Sequence, residues 1–335
     1  MSVPAEPIDV VYTWVDDSFP GYMGQLNTYA DDPRDTDPNR TRDNLDILRF
    51  SLRSVWQNLP QIRKIHILSM RPQVPPWLDT SHPKIHVTHH DEIMSAGILP
   101  TFNSFSIVSH LHLLPDLSSR FLYFEDDMLA LSPDLLNAFF DTDGVPLLHL
   151  DTRKIVPQNR LNPSTESPWN LALANMDTLL SDRFGPAPRR HITHGPHLLE
   201  KDICAQMCRD FAEHIDITRK SRFRTGDNVP PEVLACFLAV ENGTAKIAPD
   251  RLSQKVQGYV SIDNFLPWTW FNLRRMDRRQ PLSATLNDNF QSAPNPRVEK
   301  MVRTWMMQRF PVAAPWERTP ISDTPNSPPQ PRPQP

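Results

Sequence analysis

Glycine is scarce in this chain: nine residues among 335, against 36 prolines. No G-x-G-x-x-G or Walker-type loop occurs, which excludes the phosphate cradles that glycine builds. The three cysteines, Cys204, Cys208 and Cys236, cannot form a paired framework and lack C-x-x-C spacing, so they read as buried thiols. No long apolar run is present, and Met1–Pro7 is neither basic nor apolar, so neither a membrane span nor a signal peptide is expected. A dominant charge is missing too, with 35 Lys+Arg facing 39 Asp+Glu and a formal net charge of −4. That balance excludes a dedicated nucleic-acid binder, whose affinity rests on neutralising phosphates. The chain reads as soluble and cytoplasmic.

What is present is enough apolar material for a core, since 39% of residues are hydrophobic and 22% charged. Short β-branched runs mark strands at Ile8–Trp14, Lys64–Met70, Lys84–Thr88, Arg120–Phe124 and Val145–Leu150. Helical patterns alternate with them. Asp43 is placed to cap a helix whose Leu45, Leu48, Leu52, Val55 and Trp56 share one face and which Pro60 ends. Ser104–Leu114, Pro133–Phe140, Ser167–Leu180, His197–His214 and Pro230–Glu241 are further helices, whereas Tyr22–Arg42 reads as a polar, mobile loop. The alternation predicts an α/β domain over residues 1–320, with a mostly parallel sheet and additional C-terminal helical elements. Residues 321–335 are proline-rich and predict a disordered tail. In such sheets ligands bind beyond the carboxyl ends of the strands.

Two strands end in acid. The segment around Phe124 runs into Glu125, Asp126 and Asp127, and three adjacent anions call for a divalent cation or a network of donors. Oxygen ligands of this kind suit Mg²⁺ or Mn²⁺; the bland alternative is two capping carboxylates and one solvated one. The first strand likewise leads to Asp16 and Asp17, with Trp14 either a core aromatic or a flat face for a base or sugar. His194 and His197 can relay a proton, although histidines in a Pro/Gly loop are usually surface residues. Arg222 and Arg224 can clamp a phosphate, and Asn287-Asp288 supplies a further carboxylate.

Ile8–Asp16 (IDVVYTWVD), Arg42–Leu52 (RDNLDILRFSL), Leu99–Ser104 (LPTFNS) and Phe121–Met128 resemble, in order and spacing, blocks of the Stealth family of sugar-1-phosphate transferases. Later blocks are similar: Trp169 with Asn175, His194–His197, Phe223-Arg224 with Asp227, and Leu286-Asn287-Asp288. The resemblance implies a GT-A-like, Rossmann-like fold. It also implies a reaction in which an acceptor sugar hydroxyl attacks the β-phosphorus of a UDP-sugar, releasing UMP. Donor and saccharide acceptor are then the partners, and capsule or exopolysaccharide synthesis at the inner face of a membrane is the setting.

Carried over by residue, Asp126, Asp127, Asn287 and Asp288 become metal ligands for Mg²⁺ or Mn²⁺. His194 or His197 becomes the proton relay, Arg224 the phosphate clamp and Asp127 part of the catalytic set. Trp14, Asp16, Arg42, Asp43, Asn103, Ser104 and Arg222 fall in substrate-binding blocks. Three positions depart from the family pattern: Val108 replaces a glutamate, Glu125 replaces an asparagine before the Asp pair, and Asn228 replaces an acid. Two other activities are compatible with the fold, a glycosyltransferase releasing UDP and a non-catalytic nucleotide-sugar binder. The basic-aromatic stretch Trp268–Arg279 reads either as a surface for lipid head groups or a polyanion, or as a packed helix with a solvated basic face.

Overall fold

The computed structural model describes residues 6–31, 36, 41–290 and 293–318. Five strands form the main sheet: β1 (Ile8–Trp14), β2 (Ile65–Ser69), β3 (Ile85–His89), β4 (Arg120–Glu125) and, later in the chain, β9 (His197–Glu200). Their spatial order is β3-β2-β1-β4-β9. All neighbours run parallel except β9, which is antiparallel to β4. The expected α/β architecture with a mostly parallel sheet is therefore what forms.

A second sheet of order β11-β12-β5 lies beyond the first. It contains β5 (Met128–Ala130), β11 (Gln257–Ile262) and β12 (Ser283–Asp288). Two small ladders complete the strands. β6 (Leu147–Leu148) pairs with β10 (Lys246–Ile247), and β7 (Leu150–Lys154) with β8 (Arg190–Ile192).

The helices are α1 (Tyr22–Tyr29), α2 (Ile47–Asn58), α3 (His90–Ile93), α4 (Ser104–Val108), α5 (Pro168–Phe184) and α6 (Lys201–Asp210). They continue as α7 (Ala212–Lys220), α8 (Pro231–Glu241), α9 (Asp250–Val256), α10 (Leu266–Arg279) and α11 (Pro296–Arg309). Alternation along the central strands sends Val10, Tyr12, Leu122 and Phe124 into a core with α2, and Val11, Phe121 and Tyr123 into another with α4–α8. A third core joins β11 and β12 to α10 and α11.

Several expectations shift. Part of the polar stretch after Gly21 is helical, because Tyr22 and Leu26 are one turn apart and both bury; its remainder at 32–35 and 37–40, and the tail at 321–335, lie outside the described residues. Asp43 does not cap α2 from the adjacent position: the helix starts at Ile47, and the Asp43 carboxylate reaches forward to accept the Ile47 N–H at 3.2 Å. Ser104–Leu114 splits into α4 and a short 3₁₀ turn, and Pro133–Phe140 contains only a 3₁₀ turn, Leu136–Phe139. His197–Glu200 is strand rather than helix, since it closes the edge of β4.

In α10 the buried positions are Thr269, Leu273 and Met276, whereas Trp268 (49% exposed), Trp270 (50%) and Phe271 (50%) point to solvent. The aromatics of the basic-aromatic stretch are therefore outside, not packed.

Candidate active site

The chain leaves β1 to build β2 and β3 on one side, then crosses to β4 on the other, so β1 and β4 flank the topological switch point of the sheet. That is where an open α/β sheet leaves a crevice beyond its strand ends. Thr13 of β1 pairs with Glu125 of β4, so the acids after each strand open into the same crevice. Glu125, Asp126 and Asp127 form the turn that carries the chain from the main sheet into the second one, where Met128 pairs with Thr285 of β12. The Leu286 N–H donates to the Asp127 carbonyl at 2.9 Å, and β12 thereby brings Asn287 and Asp288 beside the acidic turn. Residues 160 positions apart in sequence thus lie on neighbouring backbone.

The turn is electrostatically unsatisfied. Loss of hydration and mutual repulsion hold the carboxyls of Asp126 and Asp127 well above the usual range, with Asp43 and Glu125 adding to the load on Asp126. Asp127 Oδ1 is shut off from solvent and has no hydrogen-bond partner. Asp43, pushed up to about 8 by burial and by Asp46 and Asp16, accepts a bond from Trp14 Nε1 at 3.0 Å. An orphaned carboxylate oxygen amid excess negative charge fits a hard divalent cation. The donors are not gathered, however: among the described residues no three His, Cys, Asp or Glu side chains converge to hold an ion.

Asp288 explains part of that. Arg42 grips its carboxylate with Nε and Nη2 at 2.9–3.1 Å, and the Phe290 N–H donates to Oδ1 at 2.8 Å. The resemblance implies a substrate role for Arg42 and a metal role for Asp288, yet the two form one nearly buried ion pair. Asp16 Oδ1 accepts the Ser18 N–H at 2.9 Å and the residue remains partly open to the crevice.

The remaining assignments sort by burial. Trp14 is only 4% exposed, so it offers no ring face to a ligand and instead holds Asp43. His197 is buried in β9, where loss of hydration lowers its imidazole to about 3, keeping it neutral. His194 is the histidine that opens to the site, its Nε2 3.9 Å from Glu125 Oε2 and its ring edge-on to Tyr259. Asn103 caps α4 and spends its amide on Thr218 and Ser221 carbonyls and on Asn228 Oδ1, which leaves nothing for substrate.

Arg222 donates to the Pro100 carbonyl at 2.6 Å and lies over Tyr29, so it ties loops together. Arg224 is held by Ser104 Oγ and lies 4.5 Å over the Phe105 ring, which fixes its guanidinium on the first turn of α4. Asn175 supports this loop by donating to the carbonyls of Gly226 and Asn228. The buried Asn228 amide makes bonds to Ser221 and Thr225 as well as Asn103, a role that uses both its donor and its acceptor ends.

Sequence reasoning missed Glu232. This side chain, in the first turn of α8, is 5% exposed, and its Oε2 has no hydrogen-bond partner. Burial pushes its carboxyl up to about 7, Glu125 pushes the same way, and Arg224 opposes. No pattern in Pro230-Pro231-Glu232 distinguishes it from a surface helix start. Val108, where the family pattern has a glutamate, is buried in the apolar core on α4, the helix that packs against α8.

Because the native state favours protonated Glu232, stability falls as pH rises from the unfolded value of 4.5 through about 7. Glu232→Gln is therefore expected to gain about 3 kcal/mol over wild type at pH 8 and almost nothing at pH 4. Urea unfolding at the two pH values checks this, and an equal effect at both would refute it.

The fold and site together define an α/β protein with an acidic crevice, bordered by a histidine, at the switch point of a mostly parallel sheet. The chain carries two conserved regions of the Stealth family: region 2 matches residues 40–148 and region 3 matches residues 193–231. Curated relatives include the exopolysaccharide phosphotransferase SCO6023 of Streptomyces coelicolor, 31% identical over 93% of this chain and 52% of that protein. The exopolysaccharide phosphotransferase CpsY of Mycobacterium tuberculosis is 31% identical over 93% and 58%. The capsular polysaccharide phosphotransferase SacB of Neisseria meningitidis serogroup A is 30% identical over 93% and 57%. The chain thus spans between about half and three fifths of the length of these relatives.

Solved structures that align with it include the galactosyltransferase LgtC with donor and acceptor sugar analogues, at 11% identity and TM-score 0.38 over 83% of this chain and 87% of that one. The bifunctional glycosyltransferase WbbM aligns at 10% identity and TM-score 0.41 over 93% and 52%.

Proposed function

We propose that this chain is a phosphotransferase that moves a hexose 1-phosphate, in the first instance an N-acetylhexosamine 1-phosphate, from a UDP-sugar to a saccharide hydroxyl during capsule or exopolysaccharide synthesis. The observation that carries the reading is the unsatisfied acidic turn at the switch point, within Stealth region 2, with His194 of region 3 lying 3.9 Å from Glu125. The phosphotransferase names of the relatives support the same chemistry.

In this reaction the acceptor oxygen bonds to the β-phosphorus. The bond from that phosphorus to the bridging oxygen breaks, and UMP departs with the oxygen and its electron pair. Transfer of this kind needs alignment and charge stabilisation more than covalent help. His194 takes the acceptor proton at Nε2, with Glu125 opposite to stabilise the cation that forms. Arg224, immobilised by Ser104 and Phe105, binds the transferring phosphoryl oxygens. Asp126 and Asp127, with Asn287 adjacent, would hold Mg²⁺ or Mn²⁺, which supplies charge neutralisation for the pyrophosphate when bound. Asp16 lines the donor side.

The test is the nucleotide product. Incubated with Mg²⁺, a panel of UDP-N-acetylhexosamines and oligosaccharide acceptors, the protein should release UMP. UDP would instead assign glycosyl transfer, and metal-dependent UDP-sugar binding with no product would assign a non-catalytic binder.

The reading includes work at a membrane face, supported by the outward aromatics of α10 beside Arg274 and Arg278. Among the described residues no helix is long and apolar enough to cross a membrane. The protein should sediment with phosphatidylglycerol vesicles but not phosphatidylcholine ones, and Trp270→Ala with Phe271→Ala should abolish sedimentation. Equal recovery on both lipids would remove this part of the reading.

A further inference from the structure

We propose that the cavity between β7, α9, β11 and α10 is an acceptor subsite for an anionic saccharide, whose sugar lies on Tyr259 and whose phosphate or phosphodiester sits between Arg275 and Arg279. This rests on the reading that a saccharide is the acceptor, and it adds the charge class of that saccharide and where it binds.

The cavity has a volume of about 350 Å³, within the range of sites that take small organic ligands. Its wall has the composition a phosphorylated sugar needs. Gln254, Gln257 and Asn272 offer amide groups for hydroxyls, and Tyr259, 46% exposed, offers an aromatic face. The charge is better defined than the mixed lining suggests. Asp151 and Asp250 also reach this wall, but Arg153 holds the first at 2.9 Å and Arg190 the second at 2.6 Å. Arg275 and Arg279, one turn apart on α10, have no carboxylate within ion-pair distance among the described residues. Two forked guanidiniums side by side are complementary to a phosphate.

Position links the cavity to the crevice. The Tyr259 ring meets the His194 ring edge-on at 5.2 Å between centroids, and His194 Nε2 faces Glu125. A saccharide seated on Tyr259 therefore ends beside the histidine that takes the acceptor proton. Gly258 shows how closely the wall is fitted: a Cβ there would collide with Met276 Sδ, and would meet Pro281 Cγ at 2.6 Å and the Ser283 carbonyl oxygen at 2.8 Å. Only glycine lets α10 approach β11 closely enough to bring both arginines over the opening.

The experiment needs no turnover. Binding of glucose 6-phosphate, glucose and UMP to the whole chain is measured by ligand-observed NMR, for wild type, Arg275→Gln/Arg279→Gln and Tyr259→Ala. Wild type should bind glucose 6-phosphate about tenfold more tightly than glucose, the gain from charge-assisted contacts. The double variant should lose that preference, Tyr259→Ala should weaken both sugars, and UMP binding should stay unchanged. A preference that survives the double variant, or no binding of glucose 6-phosphate by wild type, overturns the proposal. Where phosphotransfer is measurable, the double variant should raise the acceptor KM about tenfold and leave kcat and donor KM in place. If no nucleotide is released while the arginine-dependent preference persists, the subsite stands and the reaction assignment falls.

Discussion

Asp127→Asn will make this protein more stable and nearly inactive. In the folded chain Asp127 is desolvated, repelled by its acidic neighbours and left with an orphaned oxygen, all of which favour its protonated form. A carboxyl whose folded pKa is raised costs stability once the pH exceeds its unfolded value, here 3.8, and the cost grows until the folded value is passed. Asparagine keeps the shape and removes the charge. The variant should therefore unfold at a higher temperature than metal-free wild type at pH 8, and the gap should close toward pH 4. UMP release should fall by a factor of about 10²–10³, the loss of about 3–4 kcal/mol typical of removing one preorganised charge-stabilising group. Added Mg²⁺ should stabilise wild type and leave the variant unmoved, because only a protein that binds the ion in its folded state gains from mass action. Thermal melts with and without Mg²⁺, together with the nucleotide assay, read all three effects. A variant less stable than wild type at pH 8 would show that the carboxylate has a partner in the fold; full turnover would place the site elsewhere.

The opposed signs of stability and activity mark where sequence reasoning succeeds. Strands that bury both faces announce themselves as apolar runs, and β1, β2, β3 and β4 were legible to within a residue or two. So was the acidic turn, since three carboxylates after such a run are unexpected unless something needs them. The second sheet was not legible, since the alignment of β12 beside the turn depends on pairing with a three-residue β5. Without that pairing, nothing in Leu286-Asn287-Asp288 says that Arg42 will neutralise Asp288 rather than touch substrate.

Trp14, Asn103 and His197 illustrate the converse. Each has a residue type suited to ligand binding, and each is buried, so its role is structural or electronic support. Glu232 was invisible for a different reason. A glutamate in the first turn of a helix is ordinarily a solvated partner of the helix dipole, and only the burial of α8 among α4, α5, α6 and β9 takes it out of solvent.

Glu317→Ala should destabilise the fold by about 3–5 kcal/mol, the cost of stripping a buried ion pair of one partner. Glu317 follows α11, far in sequence from the crevice. Its side chain is 1% exposed and lies between Arg49 and Arg53 of α2, themselves 5% and 4% exposed. Oε2 accepts Arg49 Nε at 2.6 Å and Arg53 Nη2 at 2.8 Å, while Oε1 accepts Arg53 Nε at 2.6 Å and the Ala314 N–H at 2.8 Å. Removing the carboxylate leaves two guanidiniums buried beside an emptied pocket, with Arg49 still over Trp77 and Arg53 still bonded to the Phe310 carbonyl.

The guanidiniums and the backbone N–H hold the Glu317 carboxyl below its ordinary value, so its contribution is present above pH 4.5 and lost as the pH falls through the lowered folded value. Urea unfolding at pH 7 should show the full deficit and unfolding near pH 3 a smaller one. Replacing all three groups by apolar ones, Arg49→Met, Arg53→Met and Glu317→Leu, should cost far less than Glu317→Ala, because no charge is left behind. A triple variant as unstable as the single one would mean that the network contributes through packing rather than through charge pairing. The consequence reaches the crevice, since α2 begins at Ile47, whose N–H is bound by Asp43, and Asp43 adds to the load on Asp126. Loosening the first two turns of α2, where Arg49 and Arg53 lie, should therefore weaken Mg²⁺ stabilisation as well.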